Sequence, residues 1–382
     1  MTVRVALCAD FPEEQWPSMD RVAAELLRHV DGHESQDIDV TPVCPPFARR
    51  AGGENHAAGL AFKIDRGLNR WWDYPRRLRA IAPSYSAFHV VDHTYAHLVH
   101  ALPAERTVVT CHDVDTFRSL FYPTEEQRSP LFRAMARRIL SGLSKAARIA
   151  CDTAAVRDEL VRHGAIDPDR VVVVPVGVSG AFAPTPQPGD SAVATRAGLN
   201  SDDLVLLHVG STIARKRIDV LLETFAAVRR EVPQARLVRV GSPFTAEQRA
   251  LGAALGVEDR VLTLGAVDEP TLAAVYRRAA LVLQPSSREG FGLPLVEAMA
   301  SGTPVVATAI ATLREVGGDA VTYCPLGDVA AWTEAIVALL AERASAPDRW
   351  RARVAAGCAR ARCFSWSRFG DRMTDIYRSL AA

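Results

Sequence analysis

Residues 284–308 read QPSSREGFGLPLVEAMASGTPVVAT. The turn-rich segment EGFGLP at 289–294 runs into a short apolar helix, after which Gly302 and Pro304 lead into a β-branched strand. The local order is therefore strand, loop, helix, strand. Such a loop at the carboxyl end of a parallel strand offers its own N–H groups and the next helix's amino end to an anion. A phosphorylated ligand is the first expectation. Gly290 and Gly292 let backbone approach ligand without a Cβ in the way, and Pro294 suits a first helical turn that lacks N–H partners. Glu289 falls in the loop and Glu297 on the helix. Taken singly, each feature is also what an ordinary turn with solvated glutamates would show; the joint pattern sets the stretch apart.

A second constellation lies upstream, at 204–230, LVLLHVGSTIARKRIDVLLETFAAVRR. An apolar strand ends at Gly210, followed by Ser211, and an amphipathic helix begins near Arg217, so Arg215 and Lys216 stand just before a helix amino end. Two cations beside unpaired N–H groups suit a diphosphate, the guanidinium binding bidentately and the ammonium as a compact charge. A solvated Arg-Lys-Arg cluster is the plain alternative; the position after strand and glycine favours the site.

The run EGFGLPLVEAMASGTPVV resembles the glutamate-seven-residues-glutamate signature of retaining GT-B glycosyltransferases, specifically the large family 4 of sugar-nucleotide-dependent, group 1 enzymes. That resemblance implies that Glu297 accepts hydrogen bonds from the nucleotide ribose, that Glu289 faces the transferred sugar, and that Arg215 and Lys216 hold the donor diphosphate. The donor set it implies is Gly210, Ser211, Arg215, Lys216, Ser287, Gly290, Phe291, Gly292, Leu293 and Glu297, with Glu289, His112, Arg215 and Lys216 as catalytic candidates. A carboxylate can accept from two neighbouring sugar hydroxyls at once. One departure is Ser211, where many members carry an arginine directly after the glycine; Arg215 must then supply that function.

The 382 residues, 48% of them apolar, suffice for two ordinary domains. A formal charge of +1 gives no indication of nucleic-acid binding. Seven cysteines show neither paired zinc spacing nor a disulfide framework, as expected of a reducing, cytoplasmic compartment. The amino terminus does not read as a signal peptide, and no apolar run approaches the roughly 20 residues needed to span a bilayer.

Short β-branched runs alternate with helical patterns: VRVALC, FHVV, RTVVTC and VVVVP, then LVLLHVG, RLVRVG, VLTL, LVLQP and PVVAT. The pattern predicts a parallel α/β sheet twice over. The proline-dense PTPQPGD at 184–190 predicts a linker. The expected order is an acceptor-binding Rossmann-like lobe over 1–183, a linker over 184–200, a donor-binding Rossmann-like lobe over 201–362, and a cleft between the lobes. The family implies that the terminal segment, 363–382, with anchors Phe364, Trp366 and Phe369, is a helix crossing back onto the first lobe.

The first lobe lacks the glycine-rich loop that many family members place after the first strand. Ser18 stands there as an acceptor-side candidate, though Ser18 or Asp20 could equally cap the following helix. In TCHDVDTF, His112 and Asp113 follow directly on a strand, where side chains usually face a ligand crevice. The family places a histidine near the donor sugar at this point; a histidine satisfied by backbone is the structural alternative. Asp92, His93 and His97 in VDHTYAHLVH have the same look, with Asp92, His93 and Asp113 as acceptor-side candidates. A metal reading of these histidines lacks a carboxylate at ligand spacing, so no metal is expected.

Basic and aromatic residues gather at FKIDRGLNRWWDYPRRLRAIAP, with six basic residues against two acids, and at 128–148, with six basic residues and no acid. Peripheral contact with anionic lipid through 62–80 and 128–148 would suit a lipid-linked acceptor, a solvated helix face being the alternative. The reading is a retaining, metal-independent hexosyltransferase without cofactor, moving a hexose of mannose or glucose type from a nucleotide-diphosphate sugar to a hydroxyl of a glycan, lipid-linked or small-molecule acceptor. The family implies front-face attack, in which the donor phosphate takes the acceptor's proton. Two rivals are a catalytically silent sugar- or nucleotide-binding protein and an NAD-type oxidoreductase; the latter lacks a G-x-G-x-x-G after any strand.

Overall fold

Two six-stranded, wholly parallel sheets organise the chain, as a computed structural model shows for residues 2–14, 17–31, 37–51, 59–164, 166–196, 198–199 and 203–381. They belong to two units, Met1–Gly177 with Trp366–Ala382, and Val178–Ser365.

In the first unit the strands are β1 (Val3–Cys8), β2 (Ile38–Val43), β3 (Ala87–Val90), β4 (Thr107–Cys111), β5 (Arg148–Cys151) and β6 (Val171–Val173). Its helices before the crossing are α1 (Pro17–Asp31), α2 (Leu60–Leu68), α3 (Tyr74–Ile81), α4 (Arg118–Phe121), α5 (Pro130–Leu143) and α6 (Ala154–Arg162). The sheet order is β2-β1-β3-β4-β5-β6. Every residue of β3 and β4 is buried, as expected of parallel strands covered on both faces.

The second unit holds α7 (Asp190–Arg196), β7 (Leu204–Val209), α8 (Ile218–Glu231), β8 (Ala235–Val240), α9 (Ala246–Ala254), β9 (Val261–Leu264), α10 (Glu269–Arg278), β10 (Leu281–Gln284), α11 (Leu293–Ala300), β11 (Val305–Thr308), α12 (Ala311–Gly317), β12 (Thr322–Cys324), α13 (Val329–Ser345) and α14 (Pro347–Ala361). Its order is β12-β11-β10-β7-β8-β9. In both sheets the chain steps to one side of its first strand and later resumes on the other. This leaves a crevice at the carboxyl ends of β1 and β3 in one unit and of β7 and β10 in the other.

The last helix, α15 (Trp366–Ala381), belongs to the first unit and buries Trp366, Phe369, Met373, Ile376, Tyr377 and Leu380. Its Tyr377 hydroxyl lies 2.7 Å from His89 Nδ1, and His89 Nε2 lies 2.7 Å from Thr110 Oγ1, so a fully buried polar chain ties α15 to β3 and β4. Burial, with His112 nearby, pulls the His89 pKa down to about 3 and keeps the ring neutral. Phe364 lies on the other side of the crossing and packs edge-on against Phe291 in the second unit.

The division between units falls at Gly177 and Val178, ahead of the proline-dense stretch. The segment read as a linker instead carries α7 and lies within the second unit, where Arg277 of α10 donates two 2.7 Å bonds to Asp190. Proline density marked the exposed turn before α7, whereas the division between units falls several residues earlier. Among the described residues, no helix is long and apolar enough to cross a membrane.

Candidate functional site

The loops after β7 and β10 meet at the crevice of the second sheet. After β7, a short 3-10 turn over Ala214–Lys216 ends at Arg217, which takes the left-handed conformation (φ 49°) and is braced by its own side chain donating to Asp219 at 2.7–3.0 Å. This sharp turn starts α8 and aims Arg215 and Lys216 at the neighbouring loop. After β10, the loop ends at Gly292, again left-handed (φ 95°), where a side chain would crowd Leu313 at 2.7 Å. The Ser287 N–H donates to Arg215 O at 2.8 Å and joins the two loops through backbone.

Glu289 is the point where they converge. Lys216 Nζ donates to its Oε1 at 2.6 Å, Arg215 Nη1 to its Oε2 at 2.8 Å, and Gln284 Nε2 to Oε1 at 3.0 Å. Arg215 also donates to Arg288 O at 2.9 Å. Burial alone would push the Glu289 carboxyl up; Lys216 and Arg215 outweigh it and bring the pKa down to about 2. The group is thus ionised at any working pH. Glu297, on the second turn of α11, is buried and accepts from the Tyr276 hydroxyl at 2.9 Å.

Beneath the β7 loop lies Arg239 of β8, fully buried, whose guanidinium donates to Gly210 O at 2.8 Å and to Ser242 O. Gly241 is required beside it, because a Cβ there would come within 2.2 Å of Gly210 O. Burial lowers the Arg239 pKa to about 10, which still leaves it charged near neutrality. No ion pair joins it to a carboxylate among the described residues. His208 is likewise buried, and its pKa falls to about 3 through burial and then the charges of Arg239 and Lys216. Arg215, Lys216 and Arg239 against Glu289 leave this crevice with a positive excess.

Of the predicted donor set, Gly210, Arg215, Lys216, Ser287 and Gly292 lie on two interlocked loops, together with the catalytic candidate Glu289. Ser211 sits half-buried on the first of them, while Gly290 and Leu293 lie half-buried on the second. Phe291 lies between them in sequence, with its ring buried edge-on against Phe364.

The crevice of the first sheet is chemically different. Asp10 follows β1, Asp92 and His93 follow β3, His112 and Asp113 follow β4, and Asp152 follows β5. His112 Nδ1 lies 2.8 Å from Asp152 Oδ2 and Nε2 lies 3.0 Å from Val91 O, so both nitrogens face acceptors. Burial opposes the charge, yet Asp152 and Asp92 raise the pKa to about 9, and the ring is an imidazolium. Expected beside a sugar, His112 has both ring nitrogens committed within the first unit. His93 stands between two acids, 3.3 Å from Asp92 and 3.6 Å from Asp113. Burial and the neighbouring Asp92 push the Asp10 carboxyl well above the usual range. Ser18 lies in α1, but its side chain is outside the described residues. Among the described residues, no three His, Cys, Asp or Glu side chains are grouped to hold a metal ion.

Asp10, Asp152, Gln284, Arg239, His208 and Tyr276 were not singled out from sequence. A carboxylate or amide directly at a strand's carboxyl end was the available signal for Asp10, Asp152 and Gln284; Arg239 and His208 are charged or polar residues inside otherwise apolar strands.

Residues 203–342 match the family described as glycosyl transferases group 1, and residues 19–180 match glycosyltransferase family 4. The chain belongs to the group 1, family 4 glycosyltransferases. Curated relatives include the D-inositol 3-phosphate glycosyltransferases of Segniliparus rotundus, 35% identical over 71% of this chain, and of Actinosynnema mirum, 34% identical over 71%. The alignments span 60% and 66% of those relatives' own lengths. Among solved structures, the sucrose-phosphate synthase of Thermosynechococcus elongatus superposes with a TM-score of 0.74 at 21% identity, covering 99% of both chains. HepE of Anabaena, in complex with UDP, gives 0.72 at 16% identity, covering 99% of this chain and 100% of that one. At such identities the likeness concerns the fold, which is GT-B.

Proposed function

We propose that this protein is a retaining, metal-independent hexosyltransferase that takes its sugar from a nucleoside diphosphate donor and passes it to an acceptor hydroxyl. The observation that carries the reading is Glu289 gripped by Lys216 and Arg215 at the crevice of the second sheet. As the anomeric carbon gains oxocarbenium character, negative charge moves onto the departing diphosphate. Lys216 and Arg215 are held at the crevice by Glu289, so their positive charges are positioned before the donor arrives. Buried Arg239 adds positive potential from below. Glu289 serves two ends: it orients the two cations and presents a carboxylate to the sugar's hydroxyls. Glu297, steadied by Tyr276, accepts from the ribose.

Retention follows from front-face attack, the donor phosphate taking the acceptor's proton. The acceptor lies with the first unit, whose acidic crevice at Asp92, His93 and Asp113 suits hydroxyl groups. Peripheral contact with a membrane through 62–80 and 128–148 belongs to the same reading, because it would bring the enzyme to a lipid-linked acceptor.

The test is release of nucleoside diphosphate from UDP-, GDP- and ADP-sugars, with and without polyol, inositol phosphate and lipid-linked acceptors, followed by NMR of the product's anomeric proton. Acceptor-stimulated release with an unchanged anomeric configuration, insensitive to EDTA, is expected. Tight donor binding without turnover across the panel would instead mark a catalytically silent member.

A further inference from the structure

Arg239 is a cation at a place where a covered parallel strand ordinarily carries an apolar side chain. Its neighbours in β8 are Val238 and Val240, and the residue is fully buried. The guanidinium carbon lies 4.9 Å from the centroid of the Phe244 ring, and Nε has no hydrogen-bond partner. Burying a cation without a counter-charge is costly. A neutral amide could hold a carbonyl oxygen equally well, so the charge itself calls for an explanation. Full burial keeps the guanidinium from touching a ligand, and its influence must pass through the groups it holds.

The group it holds at the crevice is the peptide that closes β7. Gly210 is tied to β8 at both polar atoms: its N–H donates to Val240 O at 2.9 Å, and its carbonyl accepts from Arg239 Nη2 at 2.8 Å. In a trans peptide the carbonyl and the following N–H point in opposite directions. The strand order here is β10-β7-β8, so a Gly210 carbonyl turned toward β8 directs the Ser211 N–H toward the β10 side. That is the side from which the loop bearing Ser287 and Glu289 comes. Among the described residues, the Ser211 N–H meets no acceptor. Lys216 runs alongside, its Cε 3.5 Å from where a Cβ on Gly210 would stand.

We propose that Arg239 is a positioning residue for the donor, turning and polarising the Gly210–Ser211 peptide so that the Ser211 N–H donates to a diphosphate oxygen beside Lys216. The inference rests on the diphosphate reading of this crevice and adds to it a backbone donor and the side chain that aims it. A cation on the carbonyl oxygen draws electron density across the peptide and makes the N–H at its other end a stronger donor. As negative charge collects on the departing diphosphate, this bond strengthens, and a donor already fixed in place costs no reorganisation.

The experiment follows the Ser211 amide by NMR in the whole chain labelled with ¹⁵N-serine, the resonance being identified by its absence in Ser211→Ala. UDP, GDP and ADP are titrated in turn, and affinities for whichever binds most tightly are measured in wild type, Arg239→Lys and Arg239→Gln. Lysine keeps the charge; glutamine keeps an N–H donor without it. Circular dichroism checks folding. Expected are a downfield movement of the Ser211 amide proton on saturation, a roughly tenfold loss of affinity in Arg239→Gln with a smaller Ser211 shift, and a much smaller loss in Arg239→Lys. A Ser211 resonance that stays still while Ser287 responds would overturn this inference and leave the diphosphate reading standing. Wild-type affinity in folded Arg239→Gln, or equal losses in the two variants, would also overturn it. Neither serine responding to any of the three nucleotides would remove the diphosphate reading and this inference together. If either variant fails to fold, the wild-type Ser211 resonance decides alone.

Discussion

The two sheets share one architecture and differ at their carboxyl ends. Each has six parallel strands and a single crevice where the strand order switches direction. In the second unit that crevice holds Arg215, Lys216 and buried Arg239 around Glu289; in the first it holds Asp10, Asp92, Asp113 and Asp152 around His93 and His112. One end is built for an anion and the other for groups that donate hydrogen bonds. On the proposed reading, the division of labour between donor and acceptor lies in charge, since backbone topology provides both crevices alike.

The comparison breaks most visibly at Lys216. Its replacement by alanine removes one preorganised donor to the leaving diphosphate, and turnover is expected to fall by about 3 kcal/mol of transition-state stabilisation, or roughly two orders of magnitude. Folding, read by circular dichroism, stays intact. Glu289→Gln acts on the same cluster from the other side. It leaves two largely buried cations without their counter-charge, so unfolding in urea is expected to occur with about 3 kcal/mol less stability. Added nucleoside diphosphate should restore part of that loss, because it supplies the missing negative charge.

In the acidic crevice the expected effects are smaller and depend on pH. The His112 pKa is raised in the fold to about 9. Its stabilising contribution is therefore complete below the unfolded value near 6.5 and is lost as pH rises through about 9. Urea midpoints measured across that window should decline in the wild type, and Asp152→Asn should flatten the decline while costing about 2 kcal/mol at neutral pH. A steep decline retained in the variant would show that another group is responsible. The smallest effect is expected for Tyr276→Phe, which removes the hydroxyl on Glu297; donor KM should rise about fivefold with kcat nearly unchanged.

Nine of the twelve strands were legible as β-branched runs, and both switch-point loops of the second unit were legible as motifs. The strands that escaped are β2, interrupted by Asp39 and Pro42, and the brief β5 and β12, whose sequences RIAC and TYC are too short to set a period. Arg215, Lys216 and Glu289 could be found because each stands in a local pattern of strand, glycine and helix start. Arg239 could not. Its meaning comes from Gly210, 29 positions earlier, with which it shares a hydrogen bond across neighbouring strands. His112 shows the converse: its place at a strand end was readable, but Asp152, 40 positions away, decides its protonation. Local spacing predicts which side chains reach a crevice, while charge state is set by partners that only the fold brings near.

The most direct test is calorimetric titration of nucleoside diphosphate and the matching monophosphate into wild type and Lys216→Ala. Wild type should prefer the diphosphate by at least about tenfold, the equivalent of one charge-assisted hydrogen bond, and the variant should lose most of that preference while still binding the monophosphate. An equal preference in both proteins would place the diphosphate elsewhere and contradict the assignment of the second crevice.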